Sequence, residues 1–190
     1  MRKILFIFTF ALLFVSAIAQ KNQNITLGFL RGETELNVIF DYSNVIFTFE
    51  NGMSEERYVE RQTIKEGDEW RAEWEATKDS IKAGCKHSKF FKDFNLTFFD
   101  KNYKLRGGDF PQAKYTMVVE IRRIWLGNRY SPLLYSNSSI ILTNSVDSIA
   151  EFQVETVGNP YGKTLWQVES LYERIGKELA KLIVRKIKKH

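Results

Sequence analysis

The sequence predicts an α+β fold: a single, mostly antiparallel sheet with two main helices packed on one face. Three observations predict it. Apolar residues alternate with period two over 36–49, 115–126 and 138–157. They recur at helical spacing over 68–85 and 164–188. Polar side chains hold the off-positions of the strand segments, which leaves one sheet face wet, as antiparallel sheets allow.

Taken in order, the chain begins Met1-Arg2-Lys3, continues as an apolar run from Ile4 to Val15, and reaches Ser16-Ala17-Ile18-Ala19 before Gln20. A basic start, a short apolar stretch and small residues at Ala17 and Ala19 are the pattern of a secretory signal peptide over 1–19, cut before Gln20. The apolar run is shorter than the roughly twenty residues a membrane-spanning helix needs. No cysteine follows the cut to carry a lipid, so the expected mature chain, 20–190, is a single exported α+β domain without a transmembrane segment.

The first strand region, Leu36 to Phe49, places Leu36, Val38, Phe40 and Tyr42 on one face. Its alternation restarts out of phase at Val45, Phe47 and Phe49, which predicts a break near Ser43, and Asn51-Gly52 ends it. Ser54 can cap a helix with Glu55 and Glu56 in its first turn. After Gly67, Trp70, Trp74, Thr77, Ile81 and Gly84 or Cys85 form the stripe of one long, broken helix. Phe94, Leu96 and Phe98 alternate before Asp100-Lys101-Asn102 and predict a short strand ending in a turn.

The clearest strand is 115–126, with Tyr115, Met117, Val119, Ile121 and Trp125 on one face and Glu120 and Arg122 on the other. Gly127-Asn128 turns the chain. A polar connection containing Pro132 leads to a strand from about Ser138 to Val157, interrupted near Asn144 to Asp147. The last helix, from about Thr164 to Lys188, carries Leu165, Val168, Leu171, Tyr172, Ile175, Leu179, Leu182, Ile183 and Ile187 on its core side. Its acids come early and its bases late, which opposes the helix dipole.

Composition narrows the function. The whole chain has 28 Lys+Arg against 23 Asp+Glu. Arg2 and Lys3 leave with the signal, so the mature net charge is +3, a solvated surface that gives no case for nucleic acid as a partner. Cys85 is the only cysteine, so no internal disulfide forms and stability rests on burial, to which the 14% aromatic content is suited. Asn24, Asn95 and Asn137 open Asn-x-Ser/Thr triplets, which would be glycan acceptors only in a eukaryotic secretory pathway.

No catalytic, cofactor or metal site is predicted. Of the two histidines, His190 ends the chain and His87 forms a lone Cys-x-His with Cys85. Cys85 reads as a small core side chain on the tryptophan stripe, with His87 turned to solvent. Two residues apart on a helix, the two would not meet as thiol and base. The acid pairs Glu55-Glu56 and Glu73 with Glu75 sit among bases as a solvated face, and Gly107-Gly108-Asp109 reads as a turn between strands. Leu133-Leu134-Tyr135, apolar in a polar connection, is the one candidate partner-binding patch, with burial in the core as the competing account.

The opening strand Leu36 to Asp41, the segment Gln112-Ala-Lys-Tyr-Thr-Met-Val-Val-Glu-Ile121 and the helix Leu165 to Ile187, in this order, resemble a group of small envelope domains. These are the curli secretion lipoprotein, the amino-terminal domain of the TolB translocation protein and the penicillin-binding-protein activator lipoproteins. The resemblance implies a non-enzymatic domain that docks onto an envelope protein in the periplasm or outside the cell. The missing lipid-bearing cysteine departs from many members of that group. Two other readings stay open: a carrier of an apolar ligand held between sheet and helices, and a hydrolase whose acids converge only in the fold.

Overall fold

The computed structural model describes residues 26–84, 87–126, 132–143, 145, 147–159 and 164–188. The signal-cleavage residues Ala17, Ala19 and Gln20, together with Asn24, Cys85, Gly127-Asn128 and His190, lie outside them.

Six strands form one mixed sheet: β1 (Glu35–Asp41), β2 (Ile46–Phe49), β3 (Arg106–Gly108), β4 (Tyr115–Leu126), β5 (Leu133–Leu142) and β6 (Ser148–Val157). The order across the sheet is β3-β1-β4-β5-β6, with β2 also paired to β4. The predicted mostly antiparallel sheet is thus corrected. Only β4-β5 and β5-β6 are antiparallel, while β1-β3, β1-β4 and β2-β4 run parallel. The physical reason is the connection. Helices take up most of the described chain between β2 and β3, and a helical crossover returns a strand parallel to the one it left.

Four α-helices are described: α1 (Glu55–Glu66), α2 (Asp68–Lys82), α3 (His87–Asp100) and α4 (Thr164–Lys188). Helices α1 and α2 are the one broken helix expected, interrupted at Gly67, whose φ of 92° a glycine adopts without strain. The Ser54 hydroxyl accepts from the Arg57 amide, as its capping role requires. Glu55 ties the pair together by accepting from the Trp74 indole at 3.1 Å and from Lys78 at 2.6 Å.

Helix α3 is a third helical unit where the sequence predicted a strand. Phe90, Phe94 and Phe98, four residues apart, are fully buried, whereas Leu96 is half-exposed and Phe99 is 76% exposed. A strand would have buried Leu96 beside Phe94 and Phe98; only the helical period explains this pattern. The turn at 100–102 is the helix terminus. The Tyr103 amide donates to the Phe98 carbonyl and the Asn102 amide to that of Phe99, with Asn102 at φ 60°, a Schellman cap.

The break predicted near Ser43 separates β1 from β2, and both strands run along the same side of β4. Strand β4 carries its own irregularity: its register to β5 slips between Ile121 and Arg123, leaving Arg122 as the extra residue of a bulge. The bulge reverses the phase beyond it. Ile124 and Leu126 are buried and Trp125 lies on the other side, which corrects the placement of Trp125 with Tyr115, Met117, Val119 and Ile121. The predicted single strand over 138–157 is instead the β5-β6 hairpin, with β5 starting at Leu133.

One hydrophobic cluster fills the space between sheet and helices, joining Leu36, Val38, Met117, Val119, Ile121, Leu134, Phe152 and Val154 to the inner stripes of α3 and α4. Tyr172, Phe90, Phe94 and Phe98 are its largest fully buried side chains. Helices α3 and α4 cross at Gly176, where a Cβ would stand 2.5 Å from the Phe90 carbonyl oxygen. Gly107 admits the Phe94 ring in the same way, with a Cβ 2.7 Å from its edge. It therefore sits in strand β3 rather than in the turn expected for Gly107-Gly108-Asp109.

Candidate recognition face

The sheet face turned away from the helices brings side chains of five strands together, and strand register lays it out in rows. One row runs Ile39, Val118, Ser139, Glu151. The next is Asp41, Glu120, Asn137, Gln153. Beyond the bulge, Ile46, Arg123, Tyr135 and Glu155 form a third, and Thr48, Trp125, Leu133 and Val157 a fourth. Because successive side chains of a strand point to opposite faces, all of these share the outer side.

The rows differ in character. The second is polar and acidic. Asp41 accepts from the Ser43 amide at 2.8 Å, and the backbone and hydroxyl bonds from Ser43 hold its carboxyl below the usual range. Glu120 pairs with Arg122 and accepts from Asn44 at 3.4 Å. With Val118, Asn137, Ser139, Glu151 and Gln153, these acids edge a shallow hollow of about 280 Å³. In the third row the Arg123 guanidinium stands 5.9 Å from the Tyr135 ring centre. Partial burial first, and the hydrogen-bonded Glu155 second, push the Tyr135 phenol up. The fourth row is apolar apart from Thr48, and Trp125 is fixed in place by its indole N–H, which donates to the Phe49 carbonyl at 2.8 Å. Ile46 at 54%, Ile39 at 49% and Val157 at 43% exposure leave apolar surface at the margins.

The predicted patch Leu133-Leu134-Tyr135 divides across the sheet. Leu134 is wholly buried in the core, so it is not available to a partner, while Leu133 and Tyr135 stand half-buried on the outer face. Asn137 shares that face. Asn95 is used differently: its side chain accepts from the Gly107 amide at 2.7 Å and donates to the Gly107 carbonyl at 3.0 Å, so the nitrogen that would carry a glycan already holds β3 to α3.

His87 is not turned to solvent as expected. It stacks on Phe40 with ring centres 3.7 Å apart, and a 2.8 Å hydrogen bond joins its Nε2 to the Tyr42 hydroxyl, which also bonds the buried Tyr172 hydroxyl. Gly84, at φ 81°, makes room for the ring, since a Cβ there would lie 2.6 Å from it. Burial pushes the imidazole down to about 4, so it is neutral at physiological pH. The His87 neighbours Phe40, Tyr42 and Tyr172 come from β1, its end and α4, a convergence that spacing in the sequence does not signal. Among the described residues no group of three His, Cys, Asp or Glu side chains is placed to hold a metal ion. Nor is any described helix long and apolar enough to cross a membrane.

No protein-family model matches the chain, and no curated protein matches its sequence. Among solved structures it is similar to the PelC dodecamer from Paraburkholderia phytofirmans, at 8% identity and a TM-score of 0.40 over 88% of this chain and 95% of that one. It is also similar to an uncharacterised protein, at 8% identity and a TM-score of 0.41 over 80% of this chain and 91% of that one. A protein of the DUF330 family from Xanthomonas campestris is similar over 50% of this chain and 60% of its own, at 13% identity and a TM-score of 0.32.

Proposed function

We propose that the chain is an exported, non-enzymatic docking protein of a bacterial cell envelope, and that it binds a protein partner across the outer face of its sheet. The observation that carries this reading is the mixed chemistry of that face. Trp125, Leu133 and Val157, with Ile46 beside them, supply an apolar end; Arg123 with Tyr135 and Glu155 follow; Asp41 and Glu120 add a charged row, flanked by the exposed Ile39. Protein interfaces combine a desolvated apolar part enriched in Trp, Tyr and Arg with a polar surround. The kinship in element order with the curli secretion, TolB and penicillin-binding-protein activator group, and the periplasmic or extracellular address, belong to the same proposal. The space between sheet and helices is filled by Phe90, Phe94, Phe98 and Tyr172, which favours docking over carriage of an apolar ligand.

The test is capture from an envelope extract with the 20–190 chain, compared with Ile46→Asp/Tyr135→Asp, both outside the core, and with Phe99→Ser on α3 as a surface control. The expected result is one defined protein partner, retained by the control and lost with the face variant. A partner retained by both variants, or a bound lipophile in place of a protein, refutes docking through this face.

A further inference from the structure

We infer that the free edge of β6 accepts an extended peptide strand carrying basic residues at alternate positions. Strand β6 is the last in the sheet and pairs only with β5 among the described residues. Over Leu133–Ile140 its pairing to β5 is regular, with the one register shift confined to the start of β6. From Ala150 to Val157 it therefore offers an uninterrupted row of backbone donors and acceptors on its outer side. Soluble proteins usually blunt such an edge with a proline, a central bulge or an inward-pointing charge. Strand β6 has none of these: its inward residues are Ala150, Phe152, Val154 and Thr156, and the only charges it carries are the outward Glu151 and Glu155, which an oppositely charged strand would neutralise.

Its outward residues set the chemistry of the occupant. Glu151, Gln153 and Glu155 are exposed at alternate positions. In an added strand, the side chains standing beside them on the outer face would meet two carboxylates, and cross-strand pairs of opposite charge stabilise while like charges oppose. The same arithmetic disfavours a second copy of this chain. Antiparallel pairing of two β6 strands about Gln153 sets Glu151 of each against Glu155 of the other. On the inner side the added strand's alternate residues would extend the apolar layer beside Phe152, whose ring already lies 5.8 Å from the Lys186 ammonium on α4. Affinity then comes from main-chain hydrogen bonds and selectivity from alternating side chains, the mode of strand addition. The inference rests on the docking reading and specifies the partner's conformation and charge at a surface next to the outer face.

The probe is an acetylated, amidated peptide Thr-Lys-Val-Lys-Val-Lys-Thr, with Thr-Glu-Val-Glu-Val-Glu-Thr as its counterpart, titrated into the 20–190 chain at low salt. Amide exchange is followed residue by residue. The expected result is saturable binding of the lysine peptide, with new protection at alternate β6 amides. The exposed charge-swap variant Glu151→Lys/Glu155→Lys should weaken the lysine peptide about tenfold and bind the glutamate peptide in its place. Equal binding of both peptides to both proteins, binding without protection in β6, or outer β6 amides already protected in the free chain would each overturn the inference. Capture of a partner that is lost with Ile46→Asp/Tyr135→Asp but unaffected by the charge swap would leave docking standing and remove the edge from it.

Discussion

The crossing of α3 and α4 at Gly176 sets two known effects against each other, and the structure decides which wins. Replacing a glycine inside a helix with alanine ordinarily stabilises by about 1 kcal/mol, because the unfolded chain has less freedom to lose. At Gly176 the added Cβ would stand 2.5 Å from the Phe90 carbonyl oxygen and 3.2 Å from the Phe90 Cα. Both atoms belong to backbone and cannot swing aside, so α3 must retreat by roughly 1 Å to restore ordinary contact. A gap of that size forfeits a quarter to a half of the dispersion energy across it, on a helix that presents three fully buried phenylalanines. With each ring worth about 1.5–3 kcal/mol on burial, the loss is roughly 2–4 kcal/mol, and Gly176→Ala is expected to destabilise by a net 1–3 kcal/mol. For a chain of this size that lowers Tm by several degrees. Urea denaturation of Gly176→Ala beside Gly32→Ala, where a Cβ meets nothing within 4 Å, isolates the steric part. A Gly176→Ala protein as stable as the Gly32→Ala protein would refute the close crossing.

Two further outcomes follow from burial. His87 sits with its pKa lowered from 6.5 to about 4, so the unfolded chain binds more protons than the folded one between these values, and stability falls as pH drops through that window. The full shift corresponds to roughly 3 kcal/mol; the ring is only partly buried, and solvent screening reduces the expected loss to roughly 1–2 kcal/mol. Denaturation midpoints between pH 7 and 4 should fall less steeply for His87→Asn than for the native chain, and parallel curves would refute this. In α3, Phe94→Ala should cost about 3–5 kcal/mol while Phe99→Ala stays within about 0.5 kcal/mol in the same denaturation experiment; equal costs would argue for another register.

Where the sequence misled, identifiable physics competed. The α3 segment is rich in phenylalanine, a residue enriched in strands, and Phe94, Leu96 and Phe98 satisfy a period of two as well as Phe90, Phe94 and Phe98 satisfy a period near four. The exposure of Leu96 and Phe99 separates the two periods, and exposure is a tertiary fact. The start of β5 was hidden by Ser136 and Asn137, which read as part of the polar connection although Ser136 is buried. The break at Ser43, the Ser54 cap, the Gly67 interruption and the stripe of α4 were legible because each is local. The parallel pairing of β1 to β3 and β4 was not, since no local signal reports which way a distant strand runs. The outer face was half legible: alternation shows which residues leave the core, but only register shows that Asp41, Glu120, Asn137 and Gln153 stand in one row.

Arg122 is a residue that the pairing of the sheet does not count. Its neighbours Ile121 and Arg123 oppose the consecutive residues Ser136 and Tyr135, so deleting it would join them into a regular ladder and leave Ile124 and Leu126 facing the core. What the extra residue adds is a local bend and a stronger twist, placed where β1 gives way to β2 along β4. The core should therefore tolerate both substitution and deletion at 122, and deletion should be felt in the way β2 meets β4.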